Sequence, residues 1–181
     1  MLAILLISAV SGGIYLGWLQ LSGNFHEILP GELYRSAQPT PSRIERYVAQ
    51  YGIRSIINLR GANLKAEWYK GEMKASQRLG LRHVDFGLSA KKMPSSEQAH
   101  ELVKLMKSLP KPILVHCKGG SDRSGLASAL YLAAVAGRGE EDAEGQISFR
   151  YGHIGIPFFS ATFAMDVGWE KYESWLGFGD S

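Results

Sequence analysis

The most informative residues are His116-Cys117-Lys118-Gly119-Gly120-Ser121-Asp122-Arg123-Ser124-Gly125, a polar loop with apolar sequence on both sides. Residues 113–115 before it predict a buried strand, and the alanine-rich residues 126–135 after it predict a buried helix. A loop from a strand into a helix directs backbone N–H groups and the positive end of the helix dipole into one cup. Glycines allow the backbone to curl tightly enough to form that cup. The loop is therefore a candidate site for a phosphate-sized anion.

Two side chains of this loop suit phosphoryl transfer. Cys117 stands at the start of the cup, where the same field favours a thiolate, which is a strong nucleophile. Arg123 follows six positions later, and its planar guanidinium can hold two phosphoryl oxygens through the transition state. A lone cysteine is more often a small buried apolar residue. The combination of strand, cysteine, glycines, arginine and helix favours the catalytic interpretation.

This combination resembles the cysteine-dependent protein phosphatases of the compact tyrosine and dual-specificity branch. Residues 33–39 (Leu-Tyr-Arg-Ser-Ala-Gln-Pro) and 57–60 (Ile-Asn-Leu-Arg) resemble the same branch, so the similarity extends over residues 31–135. The resemblance implies hydrolysis of phosphomonoesters through a phosphocysteine, with no metal and no other cofactor. It implies Cys117 as nucleophile, Arg123 as phosphate clamp and Ser124 as the group that assists breakdown of the intermediate. The phosphate-binding residues that it implies are Lys118, Gly119, Gly120, Ser121, Asp122, Arg123 and Ser124.

Two aspartates, Asp85 and Asp122, are candidates for the general acid. The leaving group needs a proton donor, usually a carboxylic acid. Asp85 precedes the cysteine by about the distance seen in many relatives, but it lies in a predicted strand, and the following residues 89–94 contain no acid. Asp122, directly before Arg123, resembles the loop aspartate of myotubularin-like lipid phosphatases and of some bacterial tyrosine phosphatases. We favour Asp122 and keep Asp85 as the alternative.

The rest of the chain alternates predicted strands with predicted helices. The predicted strands are residues 32–36, 53–59, 81–88 and 113–115, and the predicted helices are residues 41–51, 65–79, 99–109, 126–135, 140–149 and 161–175. Such alternation indicates an α/β domain. By resemblance, its centre is a mostly parallel sheet flanked by helices.

The N-terminus differs in composition from the remainder. The first 24 residues contain none of the Lys, Arg, Asp and Glu residues, and residues 2–21 are mostly apolar, long enough as a helix to cross a bilayer. We therefore predict a transmembrane anchor over residues 1–23, a polar tether over 24–31 and a phosphatase domain over 32–181. A cleaved signal peptide and a core helix remain as alternatives, although a signal peptide normally begins with basic residues.

These predictions describe a single-pass membrane protein attached through its N-terminal helix. By resemblance to bacterial proteins of this arrangement, the bacterial, membrane-anchored branch of the family is expected. We favour a periplasmic over a cytoplasmic location for the phosphatase domain.

Composition limits the remaining functions. The 181 residues suffice for one domain, and a net charge of +3 is too small to predict binding to nucleic acid. The single cysteine excludes an internal disulfide and a multi-cysteine metal site. The predicted partners are a phosphorylated protein carrying phosphotyrosine or phosphoserine/threonine, or a phosphorylated lipid or sugar. The alternative is a catalytically weak adaptor that recognises phosphate.

Overall fold

The computed structural model of the protein describes residues 1–179, which form five strands and seven α-helices. The strands are β1 (His26–Leu29), β2 (Leu33–Ser36), β3 (Ser55–Asn58), β4 (Arg82–Asp85) and β5 (Ile113–His116). The α-helices are α1 (Leu2–Ser22), α2 (Pro41–Tyr51), α3 (Glu67–Arg78), α4 (Ser96–Ser108), α5 (Asp122–Ala134), α6 (Glu140–Glu144) and α7 (Ala164–Leu176). Two short 3₁₀ helices, Phe149–Tyr151 and Ala161–Phe163, precede α7.

The five strands form one sheet in the order β1-β2-β5-β3-β4. β1 is antiparallel to β2, and the other three pairs are parallel. All residues of β2, β3 and β5 are buried, because helices cover both faces of the sheet. The predicted α/β architecture with a mostly parallel central sheet is confirmed.

Local sequence signals account for where several helices begin and end. α2 starts at Pro41 after Thr40, whose hydroxyl accepts a hydrogen bond from the backbone N–H of Arg43. α4 starts with the predicted capping box, in which Ser95 and Gln98 each bond the other's backbone N–H. These contacts satisfy N–H groups that have no acceptor within the helix.

The two faces of the sheet carry separate hydrophobic cores. One core packs β2, β3 and β5 against α4, α5 and α7, with Met106, Tyr131 and Trp169 among its fully buried residues. The smaller core lies between the opposite face and α2 and α3, and includes Ile44 and Ile56. α5 is buried over most of its circumference, so the loop that precedes it is fixed at the carboxyl edge of β5.

Residues 24–31, which we predicted as a tether, contain strand β1. Glu27 pairs with Tyr34 of β2, and His26 pairs with Arg35. A four-residue edge strand without regular alternation leaves little signal in the sequence, because its apolar residues Ile28 and Leu29 are only half-buried. The sheet therefore begins before residue 32.

The predicted membrane anchor is wrong. Among the described residues, no helix combines the length and the apolar character needed to cross a bilayer. The segment does form helix α1, but its last turns pack against the domain: Leu19 is completely buried, and the hydroxyl of Tyr15 donates a hydrogen bond of 2.6 Å to the carbonyl of Arg150. The single-pass membrane location, the periplasmic placement and membrane attachment through this helix are corrected on that finding.

Candidate active site

Residues 117–121 form the predicted loop between β5 and α5. The sulfur of Cys117 lies at the base of the cup that this loop forms. Cys117 is only 1% exposed. The backbone N–H of Gly120 donates to Sγ at 3.2 Å, and the hydroxyl of Ser124 lies 3.4 Å from the same sulfur. Two polar hydrogens are therefore available to a negative charge on Cys117, although Cys117 itself belongs to the larger hydrophobic core.

Four consecutive carbonyl groups of this loop, those of residues 118–121, point away from the cup. Gln38 N–H donates to the first at 3.3 Å, and Asn24 Nδ2 donates to the second at 2.9 Å. Arg35 Nη2 donates to the third at 2.9 Å and to the fourth at 2.6 Å. Because the N–H and C=O of a trans peptide point in opposite directions, the N–H groups of these peptides face the cup. The hydrogen bonds that hold the carbonyl oxygens on the outside of the loop thus position the N–H groups to bind an anion on the inside.

Arg35 supplies two of those four contacts from a completely buried position. Its other terminal nitrogen, Nη1, donates to the backbone and side-chain oxygens of Gln146 at 2.7 and 3.3 Å, and its guanidinium lies 4.4 Å from the ring centroid of Tyr151. Burial lowers the pKa of Arg35 to about 10, and the charges of Cys117 and Asp122 act in the opposite direction. Arg35 is therefore charged at neutral pH, directly behind the loop.

Gly120 is required by the geometry of the turn. Its φ of +74° lies in the left-handed region, and a Cβ atom there would lie 2.5 Å from the backbone nitrogen of Ala37. The loop packs so closely against the end of β2 that no side chain fits.

Arg123 is held by backbone oxygens at the edge of the sheet. Its Nη1 donates to the carbonyls of Leu59 and Leu88, both at 3.1 Å. Its Nε is buried and has no hydrogen-bond partner within residues 1–179. A buried donor without a partner is costly unless a ligand satisfies it, which suits the binding of an oxyanion.

A second polar network includes His116, the residue directly before the cysteine. His116 Nε2 and His83 Nε2 both contact Oε1 of the buried Glu72, at 3.0 and 2.7 Å. Gln38 donates to Oε2 at 2.5 Å and accepts from Arg60 Nη1 at 2.8 Å. Burial raises the pKa of Glu72, but the hydrogen bonds from His116 and His83 outweigh it and lower that pKa to about 2. The network links the residue before the cysteine to an arginine whose charge interacts with Arg123 and Cys117.

The structure places the two candidate acids differently. Asp85 ends β4, where one oxygen accepts from Asn58 Nδ2 at 2.8 Å and the other from the hydroxyl of Tyr69 at 2.5 Å. The hydrogen bond to Asp85, together with burial, raises the pKa of Tyr69 to about 12. Asp122 begins α5 beside Arg123, and its Oδ1 lies 2.8 Å from His153 Nδ1.

The remaining predicted residues lie in the same loop or in the first turn of α5. Lys118 is exposed, Gly119 and Ser121 continue the turn, and Ser124 lies under the sulfur. As at the start of any helix, the first N–H groups of α5 have no acceptor within the helix.

Sequence reasoning gave no role to several residues that shape this site. Arg35 was part of a stretch that resembles the family, but its sequence position does not reveal that it contacts the loop. Glu72 and Asn24 are polar residues in a helix and in a predicted tether, and His153 stands in an aromatic-rich segment without a motif. Each reaches the loop only through contacts between residues far apart in sequence.

Comparison with known proteins identifies the family. The family described as a DSP-PTPase phosphatase fused to NAD⁺ kinase matches residues 24–151. Because the match covers most of the chain, the protein belongs to this family of dual-specificity-type phosphatases. No curated protein matches the chain.

Solved phosphatase structures share the fold. The active form of Tk-PTP superposes with a TM-score of 0.62 at 16% identity, over 82% of this chain and 97% of the other. PTPMT1 superposes with a TM-score of 0.62 at 20% identity, over 84% of this chain and 98% of PTPMT1. TpbA from P. aeruginosa superposes with a TM-score of 0.57 at 20% identity, over 80% of this chain and 92% of TpbA. At these identities the similarity establishes the fold alone. Assignment to a bacterial branch of the family stays a prediction.

Proposed function

We propose that the protein hydrolyses phosphomonoesters through a phosphocysteine intermediate. The observation that carries the proposal is the orientation of residues 118–121, whose four outward carbonyls leave N–H groups around the sulfur of Cys117. Amide N–H donors arranged around the nucleophile can bind the three equatorial oxygens of the phosphoryl group, which carry the negative charge in the transition state. Nε of Arg123, which is buried and has no partner in the described part of the chain, adds a charged donor to that set.

The first step forms a bond between Cys117 Sγ and phosphorus while the bond from phosphorus to the leaving oxygen breaks. The leaving oxygen takes a proton from the general acid and departs as an alcohol or phenol. In the second step water attacks phosphorus and gives its proton to the deprotonated general acid, the sulfur–phosphorus bond breaks, and inorganic phosphate leaves. Ser124 Oγ, 3.4 Å from the sulfur, donates a hydrogen bond to the thiolate that is expelled.

We assign the general acid to Asp122 rather than to Asp85. Both oxygens of Asp85 already accept hydrogen bonds, from Asn58 and Tyr69, so this carboxylate joins β3, β4 and α3. Asp122 is the first residue of α5, directly after the loop and next to Arg123, and 24% of its side chain remains exposed. Reach to the leaving group comes before pKa in choosing a proton donor, and this favours Asp122.

The proposed substrates are phosphotyrosine, phosphoserine or phosphothreonine in a protein, or a phosphorylated lipid or sugar. Family membership supports a phosphorylated substrate, and PTPMT1, which shares the fold, has been solved in complex with PI(5)P. The exposed Lys118 at the rim of the loop adds attraction for anionic groups of either class.

The test is trapping of the intermediate during turnover of a radiolabelled aryl phosphate. We expect wild type to release phosphate and to carry label on Cys117 after rapid acid quench, and Cys117→Ser to do neither. Ser124→Ala serves as the matched variant, because slower breakdown leaves more label on the cysteine. Release of phosphate by Cys117→Ser at the wild-type rate would overturn the proposal. Binding of phosphate without any cysteine-dependent release would replace it with the adaptor function.

A further inference from the structure

A histidine outside the loop lies between two carboxylates. His153 follows the 3₁₀ helix Phe149–Tyr151 and is buried. Its Nδ1 lies 2.8 Å from Asp122 Oδ1, and its Nε2 lies 2.8 Å from Asp166 Oδ2 in the first turn of α7. Three segments distant in sequence therefore meet at one imidazole, and one of them is the candidate acid.

Counting protons restricts the charge states of this trio. Each contact of 2.8 Å between a ring nitrogen and a carboxylate oxygen needs one proton between them, so two protons are shared by the three groups. A neutral imidazole has only one N–H. The trio therefore consists either of an imidazolium with two carboxylates or of a neutral imidazole with one carboxylic acid. Both forms have the same net charge, and movement of one proton along a hydrogen bond converts one into the other.

Exposure of the three side chains defines how that proton is exchanged. His153 is 2% exposed, whereas Asp122 and Asp166 are 24% and 26% exposed. The imidazole therefore exchanges protons through its two carboxylates rather than directly with solvent. Of these two, only Asp122 adjoins the loop that holds Cys117, because it is the first residue of α5.

The hydrogen bonds around His153 favour the second proton of the trio. Burial alone lowers the pKa of His153, but its hydrogen bonds with Asp122 and Asp166 outweigh burial and raise that pKa. These two carboxylates are the charged groups that act on the imidazole, and the buried Arg35 in turn interacts with Asp122.

We propose that His153 is a positioning residue that holds Asp122 beside the loop and supplies the proton that Asp122 gives to the leaving group. The inference rests on the proposed function, with Asp122 as general acid. As the phosphorus–oxygen bond breaks, the proton on Asp122 Oδ moves to the leaving oxygen, and the trio retains one proton. When water attacks the phosphocysteine, its proton passes to Asp122 and restores the second proton of the trio. The proton spent in the first step is thus recovered in the second.

The test compares two substrates in His153→Gln. Glutamine can donate a hydrogen bond to Asp122 but cannot carry the exchangeable proton. We expect kcat for an alkyl phosphate, a poor leaving group, to fall roughly 100-fold, and kcat for p-nitrophenyl phosphate to fall only about threefold. His100→Gln is the matched control, because His100 is an exposed histidine stacked on Trp175, and it should change neither rate.

A second variant decides the matter if His153→Gln does not fold. Asp166→Asn keeps a hydrogen-bonding group at Nε2 but removes one negative charge that favours the imidazolium. We expect the alkaline limb of kcat for the alkyl phosphate to move down by roughly one pH unit, with the rate at lower pH close to wild type. An unmoved limb would overturn the inference.

The outcomes separate this inference from the proposed function. If wild type shows no cysteine-dependent turnover of p-nitrophenyl phosphate, the proposed function fails and the inference fails with it. If wild type is active and His153→Gln slows both substrates equally, His153 has a structural role only, and the phosphocysteine mechanism stands.

Discussion

Nη2 of the completely buried Arg35 donates a hydrogen bond of 2.6 Å to the carbonyl oxygen of Ser121. This contact joins β2 to the last residue before α5, on the outside of the loop that holds Cys117. A buried cation therefore shapes an anion site without lying inside it. The shape of the cup depends on residues that never touch the anion.

Replacement of Arg35 by Lys should damage both folding and activity. Lys keeps the charge, but its single ammonium nitrogen cannot replace the two guanidinium nitrogens that bond Gln146 O on one side and Gly120 O and Ser121 O on the other, so buried acceptors lose their partners. We expect the free energy of unfolding to fall by about 2 kcal/mol and kcat/KM to fall about tenfold or more. Urea unfolding and p-nitrophenyl phosphate turnover measure the two effects. Arg46→Lys on the exposed side of α2 is the control, and equal behaviour of both variants would contradict the role of Arg35.

Replacement of Gly120 by Ala should abolish anion binding. The added Cβ would lie 2.5 Å from Ala37 N and 2.8 Å from Ser36 C, so the loop must move. Gly137→Ala is a matched control, since Gly137 also has a positive φ, +63°, but a Cβ there meets nothing within 4 Å. Both variants lose about 1 kcal/mol to the left-handed backbone. Only Gly120→Ala should lose thermal stabilisation by inorganic phosphate, and retained stabilisation would show that the close packing is unimportant.

The two aspartates should differ in how their loss depends on the leaving group. Asp122→Asn is expected to lower kcat roughly 100-fold for an alkyl phosphate and much less for p-nitrophenyl phosphate, which departs without protonation. Asp85→Asn should lower stability through its contacts with Asn58 and Tyr69 while leaving the ratio of the two rates unchanged. A leaving-group dependence confined to Asp85→Asn would reverse the assignment.

Glu72 should contribute to stability in a defined range of pH. Its pKa in the folded protein is about 2, below the ordinary value of 4.5, so its stabilising effect is complete above pH 4.5 and is lost as the pH falls toward 2. We expect wild type to be more stable than Glu72→Gln at neutral pH, with the difference shrinking in acid. Urea midpoints between about pH 6 and about pH 3 measure it. For Glu67→Gln, a change at an exposed residue, the difference in stability from wild type should not depend on pH. The same pH-independent difference for Glu72→Gln would show that the network is unimportant.

Short-range patterns predicted a large part of the architecture. The capping box of α4 and the start of α2 at Pro41 depend on residues a few positions apart, so the sequence reveals them directly. The loop at residues 116–125 is also local, because strand, cysteine, glycines and arginine follow one another in the chain. The short edge strand β1 was missed, since its pairing with β2 leaves no periodic pattern.

The N-terminal helix shows the limit of composition as evidence. Its apolar residues predicted a membrane anchor, but part of that apolar surface, including Leu19, packs against the domain. Apolar character indicates that a segment leaves water and does not specify what replaces the water. Contacts such as Tyr15 with Arg150, 135 residues apart, cannot be read from the segment itself.

The sequence by itself determined the α/β class, the loop and the spacing of Cys117 and Arg123, because backbone periodicity and neighbouring residues set those features. Only the tertiary structure decided that Arg35, Asn24 and Gln38 hold the loop carbonyls outward, that Asp85 is bound by Tyr69, and that His153 joins Asp122 to Asp166. The physical reason is that hydrogen bonds act over about 3 Å in space regardless of separation along the chain. Which polar groups come within that distance depends on how helices and strands pack.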